Sequence, residues 1–419
     1  MKENIGIIGG GIAGITAGYL LNQEHNIILF EKQNRIGGNA YTHTTETGET
    51  LDIAVGSVLK RVAKNFLNLC RELNVKMILQ PSRCLITMHD PETNKSLYLT
   101  PLSIKGLFRQ KFSLIRSIPQ HIKILSIINK SVKLLDEGSL KGITVKDMFK
   151  LFPNMTSLDK NVMMAPFCTL SSMSYEEVLN GPTEFFTGKM KAHGNYNPVL
   201  AMMENYYPKH FTKSYIDALS DGYKEKIILN SNIKCVKRKP RKVDVCMDNG
   251  RVFTFDKIIF ACNADQALSL IENPTVQEKE LLGSWKFKDV LMVVHKDPSN
   301  APHRSLCQPW TCIRSSQNGL PHFSISYCTW LLCPSTSDNS PYYCTLNPSF
   351  PIKDELIDCK KTFRIPFYDF KSFPTVKSLP SLNGKMNSYF CGSYFGNGLH
   401  GDAVDSAIFA VEQIQADII

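Results

Sequence analysis

The sequence predicts an α/β fold with a doubly wound, Rossmann-like parallel sheet, and three observations carry that prediction. A short apolar run, Asn4–Ile8, enters a glycine turn and a helical pattern, and a second run, Asn26–Phe30, follows. A wholly apolar stretch, Ile258–Ala261, returns far along the chain. Near the end, Tyr389–Cys391 leads into a glycine-rich turn and a closing helix. Apolar runs this short suit strands covered on both faces better than independent helices.

Taken in order, Gly9–Gly14 reads as a tight turn and Ile12–Asn22 as the first helix, which makes the leading segment a βαβ unit. Val58–Leu73 carries apolar residues at helical spacing (Leu59, Val62, Phe66, Leu69, Leu73) and predicts a helix. Met77–Thr87 and Ser96–Leu99 predict strands around a turn at Asp90–Asn94. From Pro101 to about Lys213 the pattern is helical, with breaks expected at Pro119, Gly138, Pro153, Pro166 and Pro198. Strands are expected again at Ile227–Leu229, Ile233–Arg238, Val243–Met247 and Val252–Phe255, and from Val290 to Leu346. The last helix spans roughly Asp402–Ile418. This order predicts a nucleotide lobe of 1–75, 214–283 and 375–419, interrupted by a second lobe of 76–213 and 284–374 with a mixed sheet and a helical cap.

Composition removes several function classes. At 43% hydrophobic and 21% charged, the chain is neither disordered nor repetitive. No apolar stretch of about 18 residues is free of charge, so no transmembrane segment is expected. With no signal-peptide pattern read, a cytoplasmic location is expected. The 13 cysteines form no CxxC pair, so free thiols are expected and no metal site. The net charge of +10 is modest, and nucleic acid is not an expected partner. Much of the excess lies in Lys105, Arg109, Lys111, Arg116, Lys123, Lys130 and Lys133, which precede Asp136. That stretch reads as a solvated helix face or as a peripheral membrane contact.

The chemistry-bearing pattern begins at Gly9-Gly10-Gly11-Ile12-Ala13-Gly14, a GxGxxG between strand and helix. Gly9 permits the turn, Gly11 lets the backbone approach a pyrophosphate, and Gly14 lets helix pack on strand. Ile12 and Ala13 open the helix, whose free N–H groups favour an anion. Glu31 stands 22 residues after Gly9, where an acid accepts hydrogen bonds from a ribose diol. Lys32 follows it, and Arg35-Ile36-Gly37-Gly38-Asn39 then offers a cation and two glycines to the other side of the same pyrophosphate.

In this order the GxGxxG, the acid and the R-x-G-G run resemble the flavin-containing amine oxidase superfamily, specifically a bacterial branch of predicted NAD/FAD-binding oxidoreductases. The resemblance extends to Leu51–Ser57, to Ile233–Val236, to Ile258–Ala264, and to Tyr389–Ser393 with His400–Ala407. It implies an FAD-binding domain of the GR2 type with FAD held non-covalently. It also implies that Gly56, Ser57 and Val58 run beside the flavin ring and that Val236 contacts the adenine. Gly392 and Ser393 would lie near the pyrophosphate and ribityl chain, and Ala403 and Val404 at the pyrimidine edge of the ring, with Ala264 and Asp402 also among the cofactor-binding residues.

The activity implied is an FAD-dependent oxidoreductase that takes a hydride equivalent from a C–H bond of an amine or an aliphatic, lipid-like small molecule. The sequence departs from the oxidising members at two points. No lysine matches well where one holds water against flavin N5, Lys286 and Lys288 being nearest. His400 and Asp402 stand where a cage tyrosine is common. Tyr327, Asn347 and His400 are the catalytic candidates, with Trp330 and Tyr394 beside them. Asn347 reads equally as a turn former before Pro348, and Tyr327 as sheet core. Two alternatives stay open: a redox-neutral flavoenzyme, either a double-bond isomerase or a sugar-nucleotide mutase, and a non-catalytic flavin-holding or membrane-surface protein.

Overall fold

The computed structural model describes residues 2–55, 57–80, 86–93, 95–98, 113–195, 203–304, 307–332 and 335–417. A five-stranded parallel sheet takes its strands in the spatial order Ile227–Ile228, Asn26–Phe30, Asn4–Ile8, Lys257–Phe260, Ser388–Phe390. Ile8 stands level with both Phe30 and Phe260, and Phe260 with Phe390. The turns that leave these strands therefore gather along one carboxyl edge, the position where open α/β sheets bind ligands.

Both faces of this sheet are covered, which explains why its strands are apolar beyond the polar residues that open them, Asn4, Asn26, Lys257 and Ser388. On one side the helices Ile12–Leu21 and His400–Ala416 pack through Ile15, Ala17, Val404, Ala407 and Ala410, all buried. On the other side lies the antiparallel sheet Ile233–Arg238, Val243–Met247, Val252–Phe255, which buries Val236, Val245 and Phe255 against Phe30, Ile258 and Phe260.

A seven-stranded mixed sheet follows the order Ile357–Phe367, Lys286–His295, Tyr343–Leu346, Leu320–Cys328, Trp310–Gln317, Ile86–Asp90, Lys95–Tyr98. Its pairings are antiparallel except that of Trp310–Gln317 with Ile86–Asp90. Helices including Ser157–Ser171 and Tyr175–Leu179 cover it. Thr156 and Ser174 start these two with reciprocal capping boxes to Asp159 and Glu177.

Three expectations need correction. The helix expected from Val58 begins only at Lys64, because Val58–Leu59 pairs as a short strand with Asn205–Tyr206, a long-range partner that periodicity cannot reveal. Pro119 and Pro166 do not end helices but lie inside Ser113–Asp136 and Ser157–Ser171. Each forfeits one backbone bond, and at Pro166 the buried flanks Ala165 and Phe167 hold the helix through it. The breaks at Gly138 and Pro153 fall between helices, and Pro198 lies outside the described residues.

Lys105, Arg109, Lys111 and the side chain of Arg116 also lie outside the description. Of the remaining basic stretch, Lys123 pairs with the buried Asp159 at 2.6 Å and Lys130 sits 5.4 Å from the Phe152 ring centroid. These two are tied into the protein. Among the described residues every cysteine is a free thiol, and no helix is long and apolar enough to cross a membrane.

Candidate active site

A cavity of about 660 Å³ runs from the carboxyl edge of the parallel sheet to one face of the mixed sheet, a size suited to a bound small molecule or cofactor. Its near end is built from backbone. Gly9 turns at φ +111°, and a Cβ there would stand 2.6 Å from Ala261 O. A Cβ on Gly14 would meet Gly9 O at 1.9 Å, so only glycine lets the helix seat on the strand. At Gly11 a Cβ would meet nothing within 4 Å. Gly11 faces open space beside Ile12 and Ala13, which also line the cavity at the helix start.

The second glycine pair closes this cradle. Gly37 N donates to Gly10 O at 2.7 Å, and a Cβ on Gly38 would touch Gly11 Cα at 3.0 Å. Glu31 lines the cavity beside Lys32, its carboxylate accepting from Gly10 N at 2.6 Å and Gln33 N at 2.7 Å. An ionised carboxylate offers about four lone-pair sites, so it retains acceptors for a diol.

Arg35 lines the cavity but acts differently from expectation. Its guanidinium donates to the carbonyls of Ile36, Gly38 and Ala40 and stacks 4.1 Å from the Tyr41 ring centroid. It holds the glycine loop in shape, leaving only its buried Nε without a protein partner among the described residues. Asn39 likewise lines the cavity while its side-chain amide donates to Arg364 O at 3.0 Å.

Other expected contacts divide sharply. Gly392, at φ +153°, lines the cavity with Ser393 and Ala403. Val236 does not: its carbonyl accepts from Glu272 N, and Ile233, three residues earlier, faces the cavity instead. Ala264 is buried behind Asn263 and Gln266, which do line it. Gly56 lies outside the described residues. Ser57 and Val58 stand away from the cavity, which is lined there by Ala54 and by Val55 at φ +54°. Val404 is core. Asp402 accepts from Asn397 N and Leu399 N, closing the turn before the last helix. Burial pushes its carboxyl up to about 6, opposed by those bonds and by Lys189.

The three catalytic candidates separate as well. Tyr327 lines the cavity, its ring 4.7 Å edge-on to Trp310, and burial pushes its phenol up. Asn347, at φ +44°, exchanges two bonds with Leu291, donating from N at 2.7 Å and accepting at Oδ1 at 2.9 Å. It brackets two strands and stands off the cavity, as the turn-former reading has it. His400 reaches the lining, yet its ring is wedged edge-to-face against Phe66 and Tyr215, and burial pushes it down to about 4. The ring is neutral at pH 7 and not the exposed acid or base expected. Trp330 is buried in a separate cluster under Arg304, while Tyr394 lines the cavity with its hydroxyl buried and without a protein partner among the described residues. Lys288 is committed to Glu177 at 2.5 Å.

Of the wall opposite the cradle, sequence reasoning found Tyr327 and missed the rest. Val290, Met292, Leu346, Phe363 and Lys361 line the cavity with it. Met292 stands opposite both Lys361 and Leu346, and Val290 opposite Phe363, and directly paired residues share a face. Only strand register brings these together, and no local motif encodes it.

Residues 12–339 match the family model for flavin-containing amine oxidoreductases. The chain belongs to this family. That family is one of flavin-containing oxidoreductases, and the chain has its fold. A stretch of 82 residues is 32% identical to amine oxidase [flavin-containing] A of Sus scrofa, covering 19% of this chain and 15% of that protein.

Among solved structures, cyclohexylamine oxidase from Brevibacterium oxydans superposes with a TM-score of 0.71 at 12% identity, covering 99% of this chain and 100% of the other. The CLA-producing fatty acid isomerase from P. acnes gives 0.67 at 11%, covering 100% and 99%. Wild-type putrescine oxidase bound to putrescine gives the same values. At these identities the likeness is one of fold.

Proposed function

We propose that the chain holds FAD non-covalently along this cavity and uses it to oxidise a C–H bond of a largely apolar small molecule, an amine or an aliphatic, lipid-like compound. The observation that carries the reading is Gly11. Its missing side chain leaves open space at the start of a helix, walled by a second glycine pair and flanked by a carboxylate. Those features fit a pyrophosphate and its ribose. Gly11, Ile12, Ala13, Gly37, Gly38 and Gly392 would hold the diphosphate by backbone approach, and Glu31 the ribose diol.

FAD supplies there the two-electron acceptor for a hydride equivalent. This chain's residues do the rest. Val290, Met292, Leu346 and Phe363 exclude water and orient the apolar part of a substrate, and Tyr327 donates or accepts a hydrogen bond at its edge. The first turn of His400–Ala416 presents the positive end of a helix dipole to the cavity through Ala403.

Two steps test this. The purified chain should bind FAD at one equivalent and release it on acid precipitation; a protein that remains colourless with micromolar FAD overturns the reading. Anaerobic mixing with pooled amines and fatty acids should then bleach the flavin band. Turnover without bleaching would favour the redox-neutral alternative over oxidation.

A further inference from the structure

Among the described residues the substrate wall carries one charge without an ion-pair partner, and its sign is unexpected for an amine-oxidising pocket. Among the described residues that line the cavity, the carboxylates are Glu31 and Asp248. Both lie at the cradle end: Glu31 follows Asn26–Phe30, and Asp248 N donates to Asn232 O beside it. On the mixed-sheet face the lining is Val290, Met292, Leu346, Tyr327 and Phe363, with Lys361 in the same row as Met292 and Leu346.

The other lining cations are occupied or distant. Arg364 is paired with Asp265 at 2.8 Å and faces Asp289 at 3.6 Å. Arg35 is bonded to three carbonyls. Lys32 sits at the cradle beside Glu31. Lys361 is partly buried, with its Nζ 5.2 Å from the centroid of the Tyr41 ring. Among the described residues it has no carboxylate within ion-pair distance.

We infer that Lys361 is a specificity-determining residue that binds an anionic group, most simply a carboxylate, on an otherwise apolar substrate. The inference deepens the proposed function and rests on it. A partly desolvated ammonium gains most from a charge-assisted bond to an anion, and it has three donors to give. The same ammonium repels a protonated amine entering the same wall. The five apolar or aromatic neighbours then match a hydrocarbon body attached to that anion. The chemical class is an aliphatic or aromatic carboxylic acid, in contrast to a cationic amine.

The test is titration of the FAD-loaded protein with octanoate, octylamine and octanol, read as perturbation of the flavin absorption band. Octanoate should bind at least about tenfold more tightly than either other probe. Lys361→Gln should weaken octanoate about tenfold while leaving octanol unchanged, and Lys361→Arg should keep most of the octanoate affinity. FAD content and band shape report that each variant is folded. Octylamine binding as tightly as octanoate, or Lys361→Gln leaving octanoate affinity intact, overturns the inference while the yellow protein preserves the FAD reading. A protein that takes up no FAD overturns that reading, and this inference with it.

Discussion

The two ends of the cavity are made of different material. The cradle is backbone: glycines at 9, 14 and 37 bring main chain to main chain at distances no side chain would allow, Gly38 packs tightly on Gly11, and Gly11 leaves open space beside them. The wall is side chain: Met292, Leu346, Phe363, Tyr327 and Lys361 meet because separate strands pair in one register. A backbone site tolerates nearly any change in its surroundings but almost none in its glycines. A side-chain wall can be rewritten one residue at a time while the sheet persists. One fold can therefore keep its cofactor and change its substrate.

The largest effect expected is within the cradle itself, where two neighbouring glycines should fail in opposite ways. Gly14→Ala places a methyl 1.9 Å from Gly9 O and should destabilise the flavin-free protein by about 3 kcal/mol. A Cβ at Gly11 meets nothing within 4 Å, so the flavin-free stability of Gly11→Val should change by less than about 0.5 kcal/mol. Its FAD affinity should nonetheless fall about a hundredfold, because the new side chain fills the space a diphosphate needs. Denaturant unfolding and FAD titration separate the two. If Gly11→Val bound FAD normally, the open space would not be the diphosphate site.

Next in size is a pH effect at the turn between cradle and closing helix. Burial raises the Asp402 carboxyl from an ordinary 3.8 to about 6 in the folded state. The folded chain therefore binds this proton more tightly than the unfolded one. Stability tied to it is present below about pH 4 and is lost as pH rises toward 6. The stability of Asp402→Asn relative to the parent should accordingly grow by about 3 kcal/mol between about pH 3 and pH 7, about 2 kcal/mol of it between pH 4 and pH 6, and stay flat above. Parallel unfolding curves for the two proteins across that window would show that Asp402 titrates normally.

The same contrast explains what could be read from the sequence. The positions of Gly9, Gly11, Gly14 and Glu31 around the cavity are legible because the pattern that marks them is local: a glycine turn, a helix start packed on a strand and an acid at fixed spacing. The parallel strands were legible because burial on both faces leaves an uninterrupted apolar run. Lys361 was not, since nothing around it in the chain marks it, and only its pairing with Met292 puts it on the wall. Val58–Leu59 has helical spacing yet forms a strand for the same reason, its partner Asn205–Tyr206 lying far along the chain. Arg35 was recognised as part of the site, but its role in bracing the loop depends on three carbonyls whose directions no motif specifies.

Asn347 sharpens the distinction between wall and frame. It holds Leu291 by one backbone and one side-chain bond at φ +44°, a conformation asparagine tolerates better than most residues. Asn347→Ala loses the side-chain bond and keeps the strained backbone, so it should destabilise by about 2 kcal/mol. Asn347→Gly should recover about half of that, having no Cβ. Turnover per bound flavin should be unchanged in both. A large loss of turnover with intact flavin content would move Asn347 from the frame into the reacting wall.

The smallest effect is expected at His400, which sequence position alone makes the most attractive acid or base. Its ring lies edge-to-face against Phe66 at 4.7 Å and Tyr215 at 5.4 Å, and burial keeps it neutral until about pH 4. A group that does not titrate between pH 6 and 9 cannot shape a pH profile there. His400→Phe preserves an aromatic edge in the same slot and should alter turnover by less than about threefold, with the profile from pH 6 to 9 superimposable on the parent's. An inflection that vanished in the variant would mean the ring gains a proton partner when the cavity fills, and the turn before the last helix would then belong to the chemistry and not to the cradle.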